Sequence, residues 1–527
     1  MDYAMPWMFV RIDNIDEMKL KLFAVLFLVV QAFNCFAQPS AYPTGFGFTR
    51  SAREAALKTD APVFLSMQPY MRNDLPLSKM EGELKDSVKI YHDVAAIALR
   101  KHIFEYNEGD VHVRMNFLYN IGGGKDFTDT LNYPRSNRII SNTRGLWIQA
   151  DFGEKVSVET GFYESQEYMP KYLKNYVDSL GVIPGFGRDK DFTIIRDVVD
   201  YSSSFSRITI QPRDALRFHM GYGKHKIGNG YRSLLWSDGM YNYPYVQFDI
   251  TKGKVKYSHV WNIMQSLERL PLGDTPESTF RRKAGSFSYL SWKPSSKVEL
   301  SLFESVIWNR YDANKMPQSL PVSFYSPIIG TGFAQVNSTR NNFNVGIDAN
   351  FRLSKGIEVY GQAYADALGD YKKNGALQLG IQSYNLGVKN FDLGFEYNRV
   401  QSDVYSFSAL YTDATHMNQT VGHPLNNMYE YVMRTRYRYG RYFARVKWNY
   451  IVQNRLEERN DEPTWINRNL KQWDVEVGYW INPKTNSEFI ISYSDRIDDK
   501  SDDLVKQHAT IFMLGIRTGL HAVYRDF

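Results

Sequence analysis

The sequence predicts an all-β fold, a transmembrane antiparallel β-barrel of about 18 strands preceded by a small, partly helical segment. Three observations carry this reading. From Val111 onward, stretches of about ten residues alternate apolar and polar side chains with a period of two. Short turns and long polar loops take turns as connections, which a soluble sandwich has no reason to do. Aromatics make up 15% of the 527 residues, with 37 Tyr, 32 Phe and 10 Trp. That abundance suits strands that place large amphipathic rings at a membrane interface.

The N-terminus sets the compartment. Lys19 and Lys21 precede an apolar run over 22–30, and Cys35-Phe36-Ala37 offers small residues before Gln38. Residues 1–37 therefore read as a secretory signal peptide with an upstream extension, Met18 being the effective start and Ala37 the cleavage point. A lipoprotein cut at Cys35 is the rival, and Ala32-Phe33-Asn34 is a poor approach to it. Cys35 is the sole cysteine, so the mature chain has no disulfide or thiol chemistry. No later run reaches the roughly twenty apolar residues of a membrane helix. The formal net charge is +6, with acids and bases mixed along the chain, which gives no argument for nucleic acid.

Residues 38–110 differ from the rest. Helices are expected over 51–58 and 88–101, the second with Ile90, Val94 and Ile97 on one face. The segment is too small for an enzyme domain and reads as a periplasmic cap or plug. Residues 111–527 read as the barrel. Leu146, Ile148, Ala150 and Phe152 share a face; so do Phe391, Leu393, Phe395 and Tyr397, opposite Asp392 and Glu396. Short turns fall near 153, 212, 251, 293, 353, 389, 440 and 482, and nine longer loops lie between them. An even strand number with both ends on the short-turn side is the build of a bacterial outer-membrane barrel. A Lys or Arg turned toward lipid at mid-depth costs about 2–4 kcal/mol, so the charged faces should line the lumen. Residues 511–527 read as a final strand ending in Tyr524 and Phe527, the kind of aromatic ending that engages barrel-assembly machinery.

Two groups of residues are candidates for function. Residues 220–246 form a loop between strands, with Gly221, Gly223, Gly228 and Gly230 among Lys224, His225, Lys226, Tyr231, Arg232, Trp236 and Tyr243. Aromatic faces cover sugar rings and cations hold acids, so an ordered external loop of this composition suits a glycan or a protein partner. The plainer reading is a loop that folds over and closes the barrel end. The second group is a lumenal basic stripe: Arg434, Arg436, Arg438, Arg445 and Lys447. It is either a track for an acidic polysaccharide or a salt ladder, since Asp392, Glu396, Asp474 and Glu476 flank it. The ten histidines form no HExxH motif, and Gly122-Gly123-Gly124-Lys125 lacks P-loop spacing and reads as a flexible external loop. Ser237-Asp238 makes no triad. No catalysis, metal or cofactor is expected.

The run Gly223-Lys224-His225-Lys226-Ile227-Gly228-Asn229-Gly230-Tyr231-Arg232-Ser233-Leu234-Leu235 continues to Ser237-Asp238 and Tyr243-Pro244. With it go Leu320-Pro321-Val322-Ser323-Phe324-Tyr325-Ser326-Pro327, Gly422-His423-Pro424-Leu425-Asn426-Asn427, and the ending from Leu514-Gly515-Ile516-Arg517-Thr518 to Tyr524-Arg525-Asp526-Phe527. These blocks resemble Bacteroidota outer-membrane proteins of the gliding-motility RemB type, related to the capsule-assembly Wzi family. Trp236 stands where that pattern has leucine, and Asn426 where it has glycine. The resemblance implies an 18-stranded barrel closed by loops and N-terminal helices, acting in surface-polysaccharide attachment or gliding. Its expected partners are outer-membrane lipid, barrel-assembly machinery, and a polysaccharide or the motility or secretion machinery. A diffusion porin with a weakly anion-favouring lumen is the alternative.

Overall fold

The computed structural model describes residues 39–77, 93–129, 137–190, 198–269, 280–311, 316–335, 341–366, 374–405, 412–459, 462–501, 506–519 and 522–527. The expected signal peptide and Ile90 lie outside them. Eighteen antiparallel strands close into a barrel. They are β1 Val111–Asp126, β2 Arg138–Phe152, β3 Val156–Tyr168, β4 Val199–Arg213, β5 Leu216–Gly223 and β6 Tyr243–Lys252. Next come β7 Val255–Arg269, β8 Phe280–Ser295, β9 Val298–Asn309, β10 Asn341–Ser354, β11 Ile357–Asp366 and β12 Asn374–Ser383. The ring finishes with β13 Phe391–Val400, β14 Met428–Tyr439, β15 Tyr442–Arg459, β16 Glu462–Asn482, β17 Ser487–Lys500 and β18 Gln507–Thr518.

Lipid sorts the side chains on these strands. On β12, Leu377, Leu379 and Ile381 are exposed, while Gln378 between them is buried inside. On β14 the tyrosines face out: Tyr431 packs 5.2 Å from Tyr397 on β13 and 6.4 Å from Tyr450 on β15, forming part of an outer aromatic surface. An apolar outer wall around a closed ring is the arrangement of an outer-membrane barrel, and that is where the chain resides. Among the described residues no helix is long and apolar enough to cross a membrane; the strands do the crossing. The eight short turns fall where the sequence puts them. Gly153 (φ 56°) and Gly440 (φ 60°) occupy the left-handed region that such tight reversals need.

Two expectations are corrected. Gly122, Gly123 and Gly124 are not in a flexible loop but within β1, paired to β2 on one side and β18 on the other. At two of them the strands approach closely: a Cβ would lie 3.0 Å from the Leu514 carbonyl oxygen on Gly122 and 2.1 Å from that of Phe512 on Gly124, whereas Gly123 faces open space. The last strand stops at Thr518, and residues 522–527 turn into the lumen, burying Tyr524, Asp526 and Phe527, instead of extending β18. Their polar groups find partners in the lumen that an edge position could not supply. Closure at this seam is shared. β18 pairs with the upper part of β1, and a short strand, Phe104–Glu108, pairs with Val111–Met115 below it.

The described residues 39–77 lie inside the lumen toward the short-turn end. Helix α1, Phe46–Leu57, buries Ala52, Ala55 and Ala56 against Tyr42, Val63, Leu65 and Tyr70, a small core of its own. Its polar face meets the wall: Arg53 pairs with Glu358 of β11 at 3.0 Å and Arg50 with Asp392 of β13 at 2.8 Å. Helix α2, Asp93–Arg100, lies at the β16–β17 turn, where Asn482 Nδ2 donates to the Ile97 carbonyl. Helix α3, Lys171–Leu180, belongs to the external β3–β4 connection and buries Leu173 and Val177. Its C-cap is Gly181 at φ 71°, where a glycine relieves the strain of a left-handed turn.

Candidate functional site: a lumen closed from three directions

The loop after β5 does not stand out from the external rim. It turns inward and crosses the lumen to the opposite wall. Residues Lys226–Ile227 form a two-residue antiparallel pairing with Met67–Gln68 of the N-terminal segment. Leu234, Leu235, Trp236 and Met240 are fully buried. They pack with Tyr243, Val260, Phe287, Phe303, Ile307 and Tyr364 from β6 to β11, and with Val404, Tyr405, Ala414 and Val421 from the connection after β13. Trp236 packs on Phe287 with centroids 4.5 Å apart and the rings tilted by 38°, and donates its indole N–H to Tyr243 at 2.7 Å. Of the two readings of this loop, the geometry follows the plainer one, closure of the barrel end, and not an outward-standing loop: its apolar run would cost too much in water and is buried in a core near the external mouth.

The polar residues of the loop are committed inside. Arg232 donates to Glu430 of β14 at 2.8 Å and lies 3.1 Å from Asp526, all three buried. The Tyr231 and Arg232 backbone N–H groups donate to Glu396 of β13. Tyr231 Oη donates to Asp526 at 2.9 Å, and Lys226 donates to the Tyr231 carbonyl and to Tyr524 Oη, both at 3.0 Å. Lys224 donates to the Gly185 and Asp238 carbonyls, and burial pulls its pKa down to about 8. His225 bridges Tyr243 Oη at 2.8 Å and Gln247 at 2.9 Å; burial first, then nearby Arg207, lowers its pKa to about 3, so it is a neutral imidazole. Burial works against charge on Arg232 and Asp526 too, but their mutual attraction outweighs it. Glu430 reinforces Arg232 and Lys447 reinforces Asp526, so both stay ionised.

Three segments meet at one point. Phe46 of α1 stacks on Tyr231 of the loop (5.7 Å, 29°) and meets Tyr524 of the 522–527 tail edge-on (5.6 Å, 88°). The tail is further held by Arg525 on Glu167 at 2.8 Å. His423, from the connection after β13, is fully buried with Nε2 2.9 Å from Glu430. Three of the four sequence blocks, around 223–244, 422–427 and 524–527, thus converge on the Arg232–Glu430 pair. Trp236 fills the dry core, and the carbonyl of Asn426 accepts from Gln453.

The basic stripe faces the lumen and forms a ladder. One cross-strand row runs Asp392, Arg436, Arg445, Glu476 from β13 to β16. Arg436 lies 3.6 Å from Asp392, and Arg445 lies 3.4 Å from Glu476. In the next row Lys447 reaches Asp474 at 2.9 Å and Asp526 at 2.8 Å, while Arg434 lies over the Tyr231 ring at 4.9 Å. Arg438 lies over the Trp480 ring at 5.1 Å. Flanking acids make this a paired ladder whose inner end also clamps the plug. Beside it runs a cavity of about 660 Å³ between α1, the tail and the walls β1–β4 and β14–β18, lined in part by Tyr119, Ser141, Glu159, Arg434, Arg445 and Arg517.

Glu430, Gln362 and Gln378 were not singled out from sequence, and Glu396, Asp526 and Tyr524 were noted there without their part in the closure. Glu396, Glu430 and the two glutamines are lone polar residues at lumen-facing strand positions, and nothing local distinguishes one such position from another.

No family model matches the chain, and no curated protein matches it. Among solved structures, Wzi from Escherichia coli, described as an outer-membrane protein involved in group 1 capsule assembly and a carbohydrate-binding β-barrel, superposes with a TM-score of 0.53 at 12% identity, covering 92% of this chain and 100% of Wzi. The fold is similar to that of Wzi. Pseudomonas aeruginosa OccK1 (OpdK) and Acinetobacter baumannii OccAB2 align over 78% of this chain and 98% and 99% of theirs, at 9% and 8% identity, each with a TM-score of 0.42.

Proposed function

We propose that the protein is a closed outer-membrane barrel serving surface-polysaccharide attachment or gliding, of the RemB and Wzi kind, and not a diffusion porin. The observation that carries this is the lumen itself. It holds an apolar core near its external mouth and a plug drawn from three segments, tied by buried ion pairs. A porin lumen is polar and water-filled. The capsule-assembly and carbohydrate-binding description of Wzi agrees with this reading. The 660 Å³ cavity favours the porin alternative only if the plug leaves, because the cavity runs beside it.

Single-channel conductance of the purified protein tests the proposal, with and without residues 39–77, leaving α2 and the Phe104–Glu108 strand in place. The intact chain should be closed and the truncated one conducting. A stable open channel from the intact chain would overturn the reading in favour of the porin. The loop's own share is separable. Alanine at Lys224, Lys226, Arg232 and Trp236 opens the barrel if the loop is a closure element, and releases surface polysaccharide from a closed barrel if it is a glycan contact.

A further inference from the structure

The connection between β9 and β10 is described over residues 316–335. Residues 316–335 carry no charged side chain. They do not rise above the rim but lie against the outside of the barrel, over β7 to β10. Phe324 packs on Trp308 of β9 at 5.2 Å, and Phe333 on Phe343 of β10 at 4.9 Å. Trp308, Val306 and Phe343 are outward-facing wall residues, yet 2–3% exposed, because this strap covers them. Its own outer side is bare: Val322 is 88% exposed, Ile328 65% and Phe333 61%.

The wall beneath carries polar groups where lipid would forbid them, and they serve the strap's backbone. Glu304 of β9, outward-facing and buried, accepts from the backbone N–H of Gly330 at 2.6 Å and of Gly332 at 3.2 Å. Trp261 Nε1 of β7 donates to the Phe324 carbonyl at 2.9 Å, and Tyr257 Oη donates to the Pro327 carbonyl. Turns within the strap pair the N–H groups of Phe324, Ser326, Thr331 and Phe333, and Pro321 and Pro327 have none to pair. A loop in water needs none of this, since water satisfies its backbone. A loop in hydrocarbon needs all of it. The exposed apolar side of the strap continues directly into the lipid-facing residues Leu302 and Ile347.

We propose that residues 316–335 are a membrane-buried strap, whose bare face is covered by the acyl chains of the surrounding bilayer. Apolar area, absence of charge and the pairing of the N–H groups at 324, 326, 328 and 330–333 all suit that occupant. A protein partner or a second copy of the chain would be the competing cover.

Nitroxide labels on single cysteines, Val322→Cys and Ile328→Cys, report which it is in liposome-reconstituted protein. Leu302→Cys serves as the lipid reference and Asp178→Cys on α3 as the water reference. The proposal expects oxygen access at 322 and 328 equal to that at 302, and access to a water-soluble nickel chelate several-fold below that at 178. Nickel access matching 178 would mean an aqueous loop and would overturn it. Protection from both reagents would mean a protein cover and would overturn it equally. Glu304→Ala should free the strap and raise nickel access at 328 while the barrel stays heat-modifiable. Should that variant not fold, the labels in the otherwise unchanged chain still decide, because both sit on the strap's outer side and touch no wall residue's partner.

Discussion

Replacing Arg232 with methionine isolates the contribution of the central ion pair to closure. The side chain is 3% exposed, and its loss strands two buried carboxylates, Glu430 and Asp526. Breaking a buried pair from one side costs about 3–5 kcal/mol. Each carboxylate keeps other donors: Glu430 has His423 and Asn398 at 2.9 Å each, and Asp526 has Lys447 and Tyr231. The lower end, about 3 kcal/mol, is therefore expected, which multiplies the population of loop-out states by roughly a hundredfold. Amide hydrogen exchange reads this population directly. The N–H groups of Leu234 and Trp236, which donate to Gln362 and Ser233, should exchange about a hundredfold faster while those of β15 and β16 are unchanged. The double variant Arg232→Met/Glu430→Leu should recover part of the protection, because it removes the stranded Glu430 charge and leaves Asp526 with Lys447 and Tyr231. Unchanged protection in the single variant would refute the reasoning. So would a double variant as labile as the single one, since the damage would then not come from a stranded charge.

Other outcomes follow from single positions. Gly124→Leu should prevent ring closure, seen as loss of heat-modifiable migration, because its Cβ has no room beside Phe512; Gly123→Ala, with open space around its Cβ, should assemble normally. Trp236→Ala should cost the dry core about 3–5 kcal/mol of local stability, read by exchange in 234–243, with the barrel intact. For pH, Asp74 and Asp526 matter. Burial raises the pKa of each, but Arg217 beside Asp74, and Arg232 with Lys447 beside Asp526, hold both below their ordinary 3.8. Their stabilisation is then complete above 3.8 and lost as pH falls through the lower native values. Conductance should stay absent from pH 7 down to 4 and appear only below; an opening between pH 5 and 6 would contradict this.

The wall was legible in the sequence because lipid imposes one rule on every strand. Leu379 out and Gln378 in, or Tyr431 out and Glu430 in, are alternations that any window of ten residues reveals. The basic stripe was legible for the same reason, and the acids on neighbouring strands made a salt ladder one of its two readings. The direction of a loop was not legible. Lys224, Lys226 and Arg232 look like surface cations until Glu430 and Asp526, from nearly 200 and nearly 300 residues further along, are seen to neutralise the site. The usable sign was the apolar run Leu234-Leu235-Trp236, too costly to leave in water. The connection at 309–340 reads in the sequence as one of the long polar loops, although residues 316–335 within it carry no charge. Gly122 to Gly124 misled because glycine marks both loose chain and tight approach, and only the neighbouring Phe512 carbonyl tells them apart.

The shared seam bears on how the protein survives its own assembly. β1 is the first barrel strand made, and its natural neighbour β18 follows nearly 400 residues later. An unpaired strand edge left waiting that long recruits other chains. The Phe104–Glu108 strand is joined to β1 by a two-residue reversal at Gly109 and Asp110, so it forms locally and at once. It occupies only positions 111–115 and leaves 120–126 for β18. Five of the sixteen residues of this edge are thus guarded from synthesis onward without having to be surrendered later, and the aggregation risk is confined to the stretch that the ring must keep free.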